Sequence, residues 1–328
     1  MAAKIRWGIL GTGFIAGKFA EGLAFLPEAE LVAVGSRTAD TAQRFAETFA
    51  IPHRHASYEL LAQDPDIDVI YIATPHNLHL ENTILCLNAG KAVLCEKPFA
   101  VNARQSAAML DLAKTKKLFL MEAMWTRFLP VIAKVRLWLS QDLIGQVRFM
   151  QADFGFSGDW QPQHRLLNPR LAGGALLDVG VYTISLASMV FGQPPSKVTG
   201  LAHIGPTGVD EQSAMLLEFK DGQLAVLSCA VRTETPQQAI ICGDKGRITI
   251  HPRFWKATKA TISVYGKDDQ TVEMPFTGNG YNYQAQEVMR CLREGKLQSD
   301  VMPLDESLEI MRTMDELRNQ WGLKYPFE

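Results

Sequence analysis

Ile5-Arg6-Trp7-Gly8-Ile9-Leu10-Gly11-Thr12-Gly13-Phe14-Ile15-Ala16 is the stretch whose reading decides the fold. Its first half is a nearly continuous apolar run, the pattern of a strand buried on both faces. A glycine-rich turn follows, and helical spacing then continues over residues 14–25 until Pro27. In that context Gly11 permits a tight turn, Gly13 lets the backbone approach a pyrophosphate, and Ala16 allows close helix–sheet packing. The start of the next helix, at Phe14 and Ile15, offers N–H groups and a partial positive charge to a phosphate. A purely structural turn is the alternative reading.

Outward from that stretch, strand and helix signals alternate. Strands are expected at 30–35, 69–73, 92–95 and 118–121, and helices at 41–49, 77–88 and 103–114. Such alternation predicts parallel βαβ units. From residue 147 the rhythm changes. Strand-like runs at 147–156, 197–204, 212–219, 224–231, 239–242, 247–250 and 261–265 are interrupted only by helices near 130–140 and 175–191. Lys220-Asp221-Gly222-Gln223 and Gly243-Asp244-Lys245-Gly246 read as hairpin turns. The expected fold class is α/β: a doubly wound parallel sheet over 1–122, then an α+β domain with a large open antiparallel sheet over 123–328. An amphipathic helix near 304–320, with Leu304, Leu308, Met311, Met314 and Leu317 on one face, is a candidate to pack back on the first domain. Leu216, Phe219, Leu224, Val226 and Leu227 place apolar groups on both faces of adjoining strands, which predicts a homodimer through the open sheet face.

The bulk composition narrows the function. The chain has 328 residues, 47% hydrophobic and 21% charged, with a net charge of −2. No electrostatic argument favours nucleic acid or an anionic membrane. Five cysteines without a Cys-x-x-Cys pair predict reduced, mostly buried thiols. The N-terminus carries no signal-like segment, and no apolar run is read as a membrane span, so a cytoplasmic protein with a small-molecule substrate is expected.

The end of the second strand selects the cofactor. Gly35-Ser36-Arg37-Thr38 lacks the carboxylate that would accept from a ribose 2′-hydroxyl. Arg37 can instead bind a 2′-phosphate and stack on adenine, with Ser36 or Thr38 donating a further bond, so NADP(H) is expected. The alternative is that Ser36 or Thr38 caps the next helix and Arg37 is solvated.

Chemistry is expected at the ends of the third and fourth strands. Ala73-Thr74-Pro75-His76-Asn77-Leu78-His79 lies at the same edge as Glu96-Lys97-Pro98. Thr74, His76, His79, Glu96 and Lys97 join Gly11, Gly13, Phe14, Ile15, Ser36 and Arg37 as candidate cofactor-binding residues. His76 and His79 have a spacing tolerable for metal ligands, but no carboxylate or cysteine cluster accompanies them, and no metal is expected. Lys97 can hydrogen-bond to a carbonyl oxygen and stabilise the alkoxide formed in hydride transfer. Further on, Gly173-Gly174-Ala175-Leu176-Leu177-Asp178-Val179-Gly180-Val181-Tyr182 reads as a loop entering a helix, with Asp178 and Tyr182 on one face. Tyr182 can exchange a proton with the reacting oxygen, and Asp178 can hold a substrate hydroxyl. Lys97, Tyr182 and Asp178 are the candidate catalytic residues. Trp125, Arg127 and Phe154, with Phe156 and Trp160, are candidates for the substrate wall; core packing is the alternative for at least two of the aromatic residues.

Together these segments resemble the glucose–fructose oxidoreductase/inositol dehydrogenase family (Gfo/Idh/MocA), through the glycine turn, Glu96-Lys97-Pro98 and residues 173–182. Tyr182 stands where many members carry histidine, so the chain looks like the branch of dimeric dihydrodiol and NADP-dependent xylose dehydrogenases. The segment Met121-Glu122-Ala123-Met124-Trp125-Thr126-Arg127-Phe128 supports that match. The resemblance implies coenzyme or substrate contacts at Tyr71, His79, Lys97 and Asp178, and a dimer through the second sheet. The expected activity is NADP(H)-dependent interconversion of an alcohol and a carbonyl on a sugar, cyclic polyol or trans-dihydrodiol. The rival readings are a glycosidase with tightly bound NAD and a non-catalytic NADP(H) sensor.

Overall fold

Two units, each with its own sheet, make up the computed structural model, which describes residues 3–328. The first unit combines Met1–Trp125 with Thr277–Ser307. Its elements run β1 (Ile5–Leu10), α1 (Phe14–Leu23), β2 (Ala29–Gly35), α2 (Ala39–Phe49), β3 (His53–His55), α3 (Tyr58–Gln63), β4 (Val69–Ile72), α4 (His79–Asn88), β5 (Ala92–Glu96), α5 (Ala103–Lys116) and β6 (Leu120–Ala123). The sheet order is β3-β2-β1-β4-β5-β6, and every pairing is parallel. The order reverses at β1, so the carboxyl ends of β1, β4 and β5 lie side by side, where open α/β sheets bind their ligands. Residues of β1, β4 and β5 are almost wholly buried, which is why these strands read as continuous apolar runs.

The second unit comprises Thr126–Phe276 and Leu308–Glu328. It holds α6 (Pro130–Ser140), β7 (Val147–Gly155), α7 (Val181–Phe191), β8 (Lys197–Ile204), β9 (Asp210–Glu218), β10 (Leu224–Ala230), β11 (Ala239–Gly243), β12 (Gly246–Ile250), β13 (Lys259–Val264) and β14 (Gln270–Glu273). The sheet order is β14-β13-β12-β11-β7-β10-β9-β8. The expected antiparallel sheet contains one parallel pair, β7 with β10, because β7 is inserted between two hairpin-linked groups. The π-helical turn Leu176–Gly180 and α7 cover one face, packing on β7 and β10. On β9 and β10 the side chains alternate: Met215, Leu217, Ala225 and Leu227 are buried, whereas Leu216 and Leu224 are 52% and 46% exposed.

The division of the chain departs from a boundary at 122. Helix α8 (Tyr281–Arg293) belongs to the first unit and packs on α1. Gly22 makes that packing possible: a Cβ there would lie 3.0 Å from Asn279 Oδ1 and 3.1 Å from the Asn282 nitrogen. The last helix, α9 (Leu304–Trp321), begins in the first unit and has most of its length in the second. There Trp321 Nε1 donates to the Gly200 carbonyl at 2.9 Å and Gln320 Nε2 to the Val198 carbonyl at 2.8 Å, both on β8. Periodicity shows that such a helix has an apolar face, not which sheet that face meets. The helical stretch Pro169–Phe191 is long and apolar enough to cross a membrane by composition, contrary to the expectation of no such run. Of its most apolar 18-residue window, 78% is buried within the protein, as in a core helix.

Candidate active site

In the first unit, the glycine turn has the form that phosphate binding requires. Gly11 has φ +105°, and a Cβ there would lie 2.9 Å from the Ala73 carbonyl oxygen. Gly13, the residue before α1, faces open space: no atom lies within 4 Å of where its Cβ would be. The first turn of α1 has neither a side-chain cap nor an acidic residue, so its N–H groups have no local competitor for an anion. Ala16 is fully buried and Phe14 is 81% exposed. These features form a cradle into which a dinucleotide pyrophosphate fits.

At the end of β2, Ser36 is buried, and its Oγ lies 3.3 Å from Thr12 Oγ and 2.6 Å from Thr41 Oγ. Thr38 caps α2 by accepting from the Thr41 nitrogen at 3.3 Å. Ser36 thus fastens the turn to the glycine loop, and Thr38 has the capping role of the alternative reading. Arg37 projects into solvent between them. Its charge lowers the Tyr58 hydroxyl against the larger upward effect of burial.

The edge formed by β4 and β5 is densely bonded. The Tyr71 hydroxyl donates to Glu96 Oε1, and the Lys97 backbone N–H donates to Glu96 Oε2 at 3.2 Å. Tyr71 also stacks on Phe19 at 3.8 Å between ring centres. Lys97 is half-buried and joined to Pro98 by a cis peptide bond. Tyr281 of α8 stacks on Trp125 at 4.4 Å; burial, with the Glu96 charge, pushes its phenol well above the ordinary range.

His79 is fully buried, with Nδ1 2.8 Å from the Pro98 carbonyl and Nε2 3.0 Å from the Thr74 carbonyl. Burial holds its pKa down to about 4, and the nearby Lys97 charge acts in the same direction. The ring is therefore neutral and donates to one carbonyl at a time. Both nitrogens are engaged by backbone, so His79 ties together the loops that carry Thr74 and Lys97 rather than presenting an atom to a cofactor. Thr74 is buried and accepts from Asn82 Nδ2 at 3.2 Å. The His76 ring lies edge-on to His79 at 5.8 Å.

In the second unit, Asp178 sits within the π-helical turn Leu176–Gly180, and Tyr182 in the first turn of α7. The sequence reading placed both on one α-helical face; the wider turn between them alters that alignment. Such π-turns often occur at functional sites. Asp178 is 4% exposed and accepts from Arg165 Nη1 at 2.8 Å. Tyr182 is 8% exposed, with Phe154 edge-on at 5.4 Å. Phe154 also stacks on Trp255 at 4.1 Å, while Phe156 contacts Trp160, which stacks on His164 at 4.4 Å.

The substrate-wall candidates Trp125, Arg127 and Phe154 are all buried. Trp125 belongs to the first unit, against Tyr281. Arg127 is 3% exposed, and its guanidinium donates to Ser185 Oγ at 3.0 Å and to the Ser185 carbonyl at 2.7 Å. It is a tie to α7, not a solvent-facing ligand. Phe154 is 5% exposed, within an aromatic cluster. Sequence reasoning missed Arg165 because a polar loop carries no periodicity. It also missed Asp210, a fully buried carboxyl that accepts from the Leu176 nitrogen at 2.7 Å and anchors the turn carrying Asp178.

A parallel sheet with this glycine turn and a lysine at the same carboxyl edge is the frame of a nicotinamide-dinucleotide oxidoreductase. Residues 5–124 match the oxidoreductase family with an NAD-binding Rossmann fold, and residues 132–249 match the GFO/IDH/MocA C-terminal domain. The chain belongs to the Gfo/Idh/MocA oxidoreductase family. It is 40% identical to trans-1,2-dihydrobenzene-1,2-diol dehydrogenase of Xenopus tropicalis, over 98% of this chain and 99% of that one. Among solved structures, it is similar to aldose-aldose oxidoreductase from Caulobacter crescentus at a TM-score of 0.88 and 25% identity, over 97% of this chain and 98% of that one. A 3-ketoreductase from Actinomadura kijaniata, solved with NADP, superposes at a TM-score of 0.84 and 25% identity, over 96% and 97%.

Proposed function

We propose that this protein is an NADP(H)-dependent dehydrogenase or carbonyl reductase that acts on a trans-dihydrodiol, with sugars and cyclic polyols as the wider substrate class. One observation carries the reading: the glycine turn, Thr74 and Glu96-Lys97 end three adjacent parallel strands at one edge. That edge can hold a dinucleotide with an ammonium beside its reactive end. The dihydrodiol preference rests on the end-to-end likeness to the amphibian enzyme. Preference for NADP(H) rests on exposed Arg37 and the lack of a carboxylate in Ser36-Arg37-Thr38.

When bound, the nicotinamide exchanges a hydride with the carbinol carbon. In this proposal Lys97 hydrogen-bonds to the reacting oxygen and favours its alkoxide form. Tyr182 takes the hydroxyl proton on oxidation and returns it on reduction. Asp178, oriented by Arg165, accepts a hydrogen bond from a neighbouring substrate hydroxyl.

The test is a panel of trans-dihydrodiols, aldoses and inositols, followed by nicotinamide absorbance with NADP+ and with NAD+. Turnover is expected with NADP+ and at least one dihydrodiol. Lys97→Met should lower kcat by about 10²-fold or more, the scale of general acid–base catalysis, while NADPH still binds. Turnover of no compound, or an unchanged kcat in the variant, would overturn the assignment.

A further inference from the structure

We propose that His53, His55 and Asp64 form a binding site for a divalent transition-metal ion of the Zn2+, Co2+ or Ni2+ class. His53 and His55 are two apart on β3, so they project from the same face of the strand. Asp64 closes α3, which runs from that strand back toward β4. The three donor atoms converge: His53 Nδ1 lies 2.8 Å and His55 Nε2 2.9 Å from the same Asp64 Oδ2. All three lie within 4.8 Å of one another. Zinc binds imidazole nitrogen and carboxylate oxygen at about 2.0–2.1 Å, which puts neighbouring donors about 2.9–3.4 Å apart. Both N···O separations need to open by only a few tenths of an ångström to reach that range.

The surroundings favour a cation. Asp64 is 4% exposed on its side chain, and its other oxygen, Oδ1, accepts from the Asp66 nitrogen at 2.9 Å. The carboxylate is thereby aimed between the two rings. The neighbouring charged groups are Asp64, Asp66 and Asp68 against Arg6 and Lys91. Arg6 pairs with Asp66 at 3.1 Å and Asp68 at 2.8 Å. The Lys91 ammonium donates to the carbonyls of Asp64 and Ile67 at 2.6 and 2.8 Å. With neutral imidazoles, three carboxylates face two cations, and one negative charge is left over. When His53 Nδ1 binds the ion, its proton moves to Nε2, which faces Asp66 Oδ2 at 4.0 Å. A carboxylate behind a ligating histidine is a common second layer of metal sites. The side chains of His53 and His55 are 38% and 22% exposed, so an ion reaches them from solvent. Two nitrogens and one oxygen suit borderline ions better than Mg2+ or Ca2+, which prefer oxygen alone. Sequence spacing singles out only His76 and His79; the fold assembles this cluster from a strand and a helix end.

The test is equilibrium dialysis of the full chain against Zn2+ and, separately, Co2+, with metal analysis and visible absorption of the cobalt form. One ion per chain is expected. The double variant His53→Gln/His55→Gln should lose at least 10-fold in affinity, whereas His203→Ala, at an exposed residue of β8, should bind as wild type does. A second readout needs no variant: bound Zn2+ should protect His53 and His55 of the wild type from diethylpyrocarbonate, as mapped by mass spectrometry. Failure of the wild type to bind, equal affinity in the double variant, or equal modification with and without Zn2+ would each overturn the site.

Discussion

Asp210 shows how one residue can govern the turn that carries the candidate catalytic side chains. Its Oδ2 accepts the Leu176 N–H, and a Cβ on Gly174 would come within 2.2 Å of its Oδ1, so glycine is required beside it. Burial raises this carboxyl to about 7, although the Leu176 N–H and the charge of Arg318 oppose the rise. The folded state therefore binds the proton more tightly than the unfolded chain between about pH 4 and pH 7. Over that window stability contributed by this group falls as pH rises, and it levels off above pH 7. A shift of about three units at 1.36 kcal/mol each is worth about 4 kcal/mol. Asp210→Asn should remove that slope, giving a variant whose stability relative to wild type improves from pH 4 to pH 8. Urea denaturation across this range reads the effect; parallel pH profiles for the two proteins would contradict it.

At the scale of elements, the turn from β2 to α2 bears the cofactor prediction. Ser36 and Thr38 are used in holding the turn, which leaves Arg37 as its exposed charged side chain. Arg37→Ala should raise the KM for NADPH by 10-fold or more and change that for NADH little, on the scale of a lost charge-assisted hydrogen bond. Equal losses for both cofactors would remove Arg37 from the phosphate site. The strands of the first sheet were legible because burial on both faces makes them continuously apolar. β3 and β14 were not, since His53-Arg54-His55 and Gln270-Thr271-Val272-Glu273 are short and polar. α8 escaped because two residues of its buried face are Asn282 and Gln284. The candidate site was legible where one residue type is forced by local geometry, as at Gly11. It was not where a fixed side chain is chosen by distant partners: Arg127 with Ser185, Arg165 with Asp178, and His79 with two backbone carbonyls. Such pairings leave no periodic trace in the chain.

At the scale of the whole molecule, the second sheet leaves apolar side chains exposed on β8, β9 and β10. Leu201, Leu216 and Leu224 are 83%, 52% and 46% exposed, and Val226 lies opposite Leu216. Adjoining exposed apolar groups on one sheet face are the usual mark of a protein–protein interface. We expect a homodimer formed through this face. Sedimentation equilibrium should give twice the chain mass, and Leu201→Glu/Leu216→Glu should shift it to the monomer. A monomeric wild type would end the proposal.

The first unit is discontinuous in sequence, with Thr277–Ser307 returning to it after the entire second sheet has been laid down. Synthesis runs from the N-terminus, so the first 125 residues leave the ribosome long before their missing helix exists. Until then the bare flank of α1 around Gly22 and the face of Trp125 that Tyr281 will cover stay open to water. Chain growth thus makes the nucleotide-binding half the first to begin yet leaves it unfinished until the second sheet has been made, an interval in which exposed apolar surface invites chaperones or self-association.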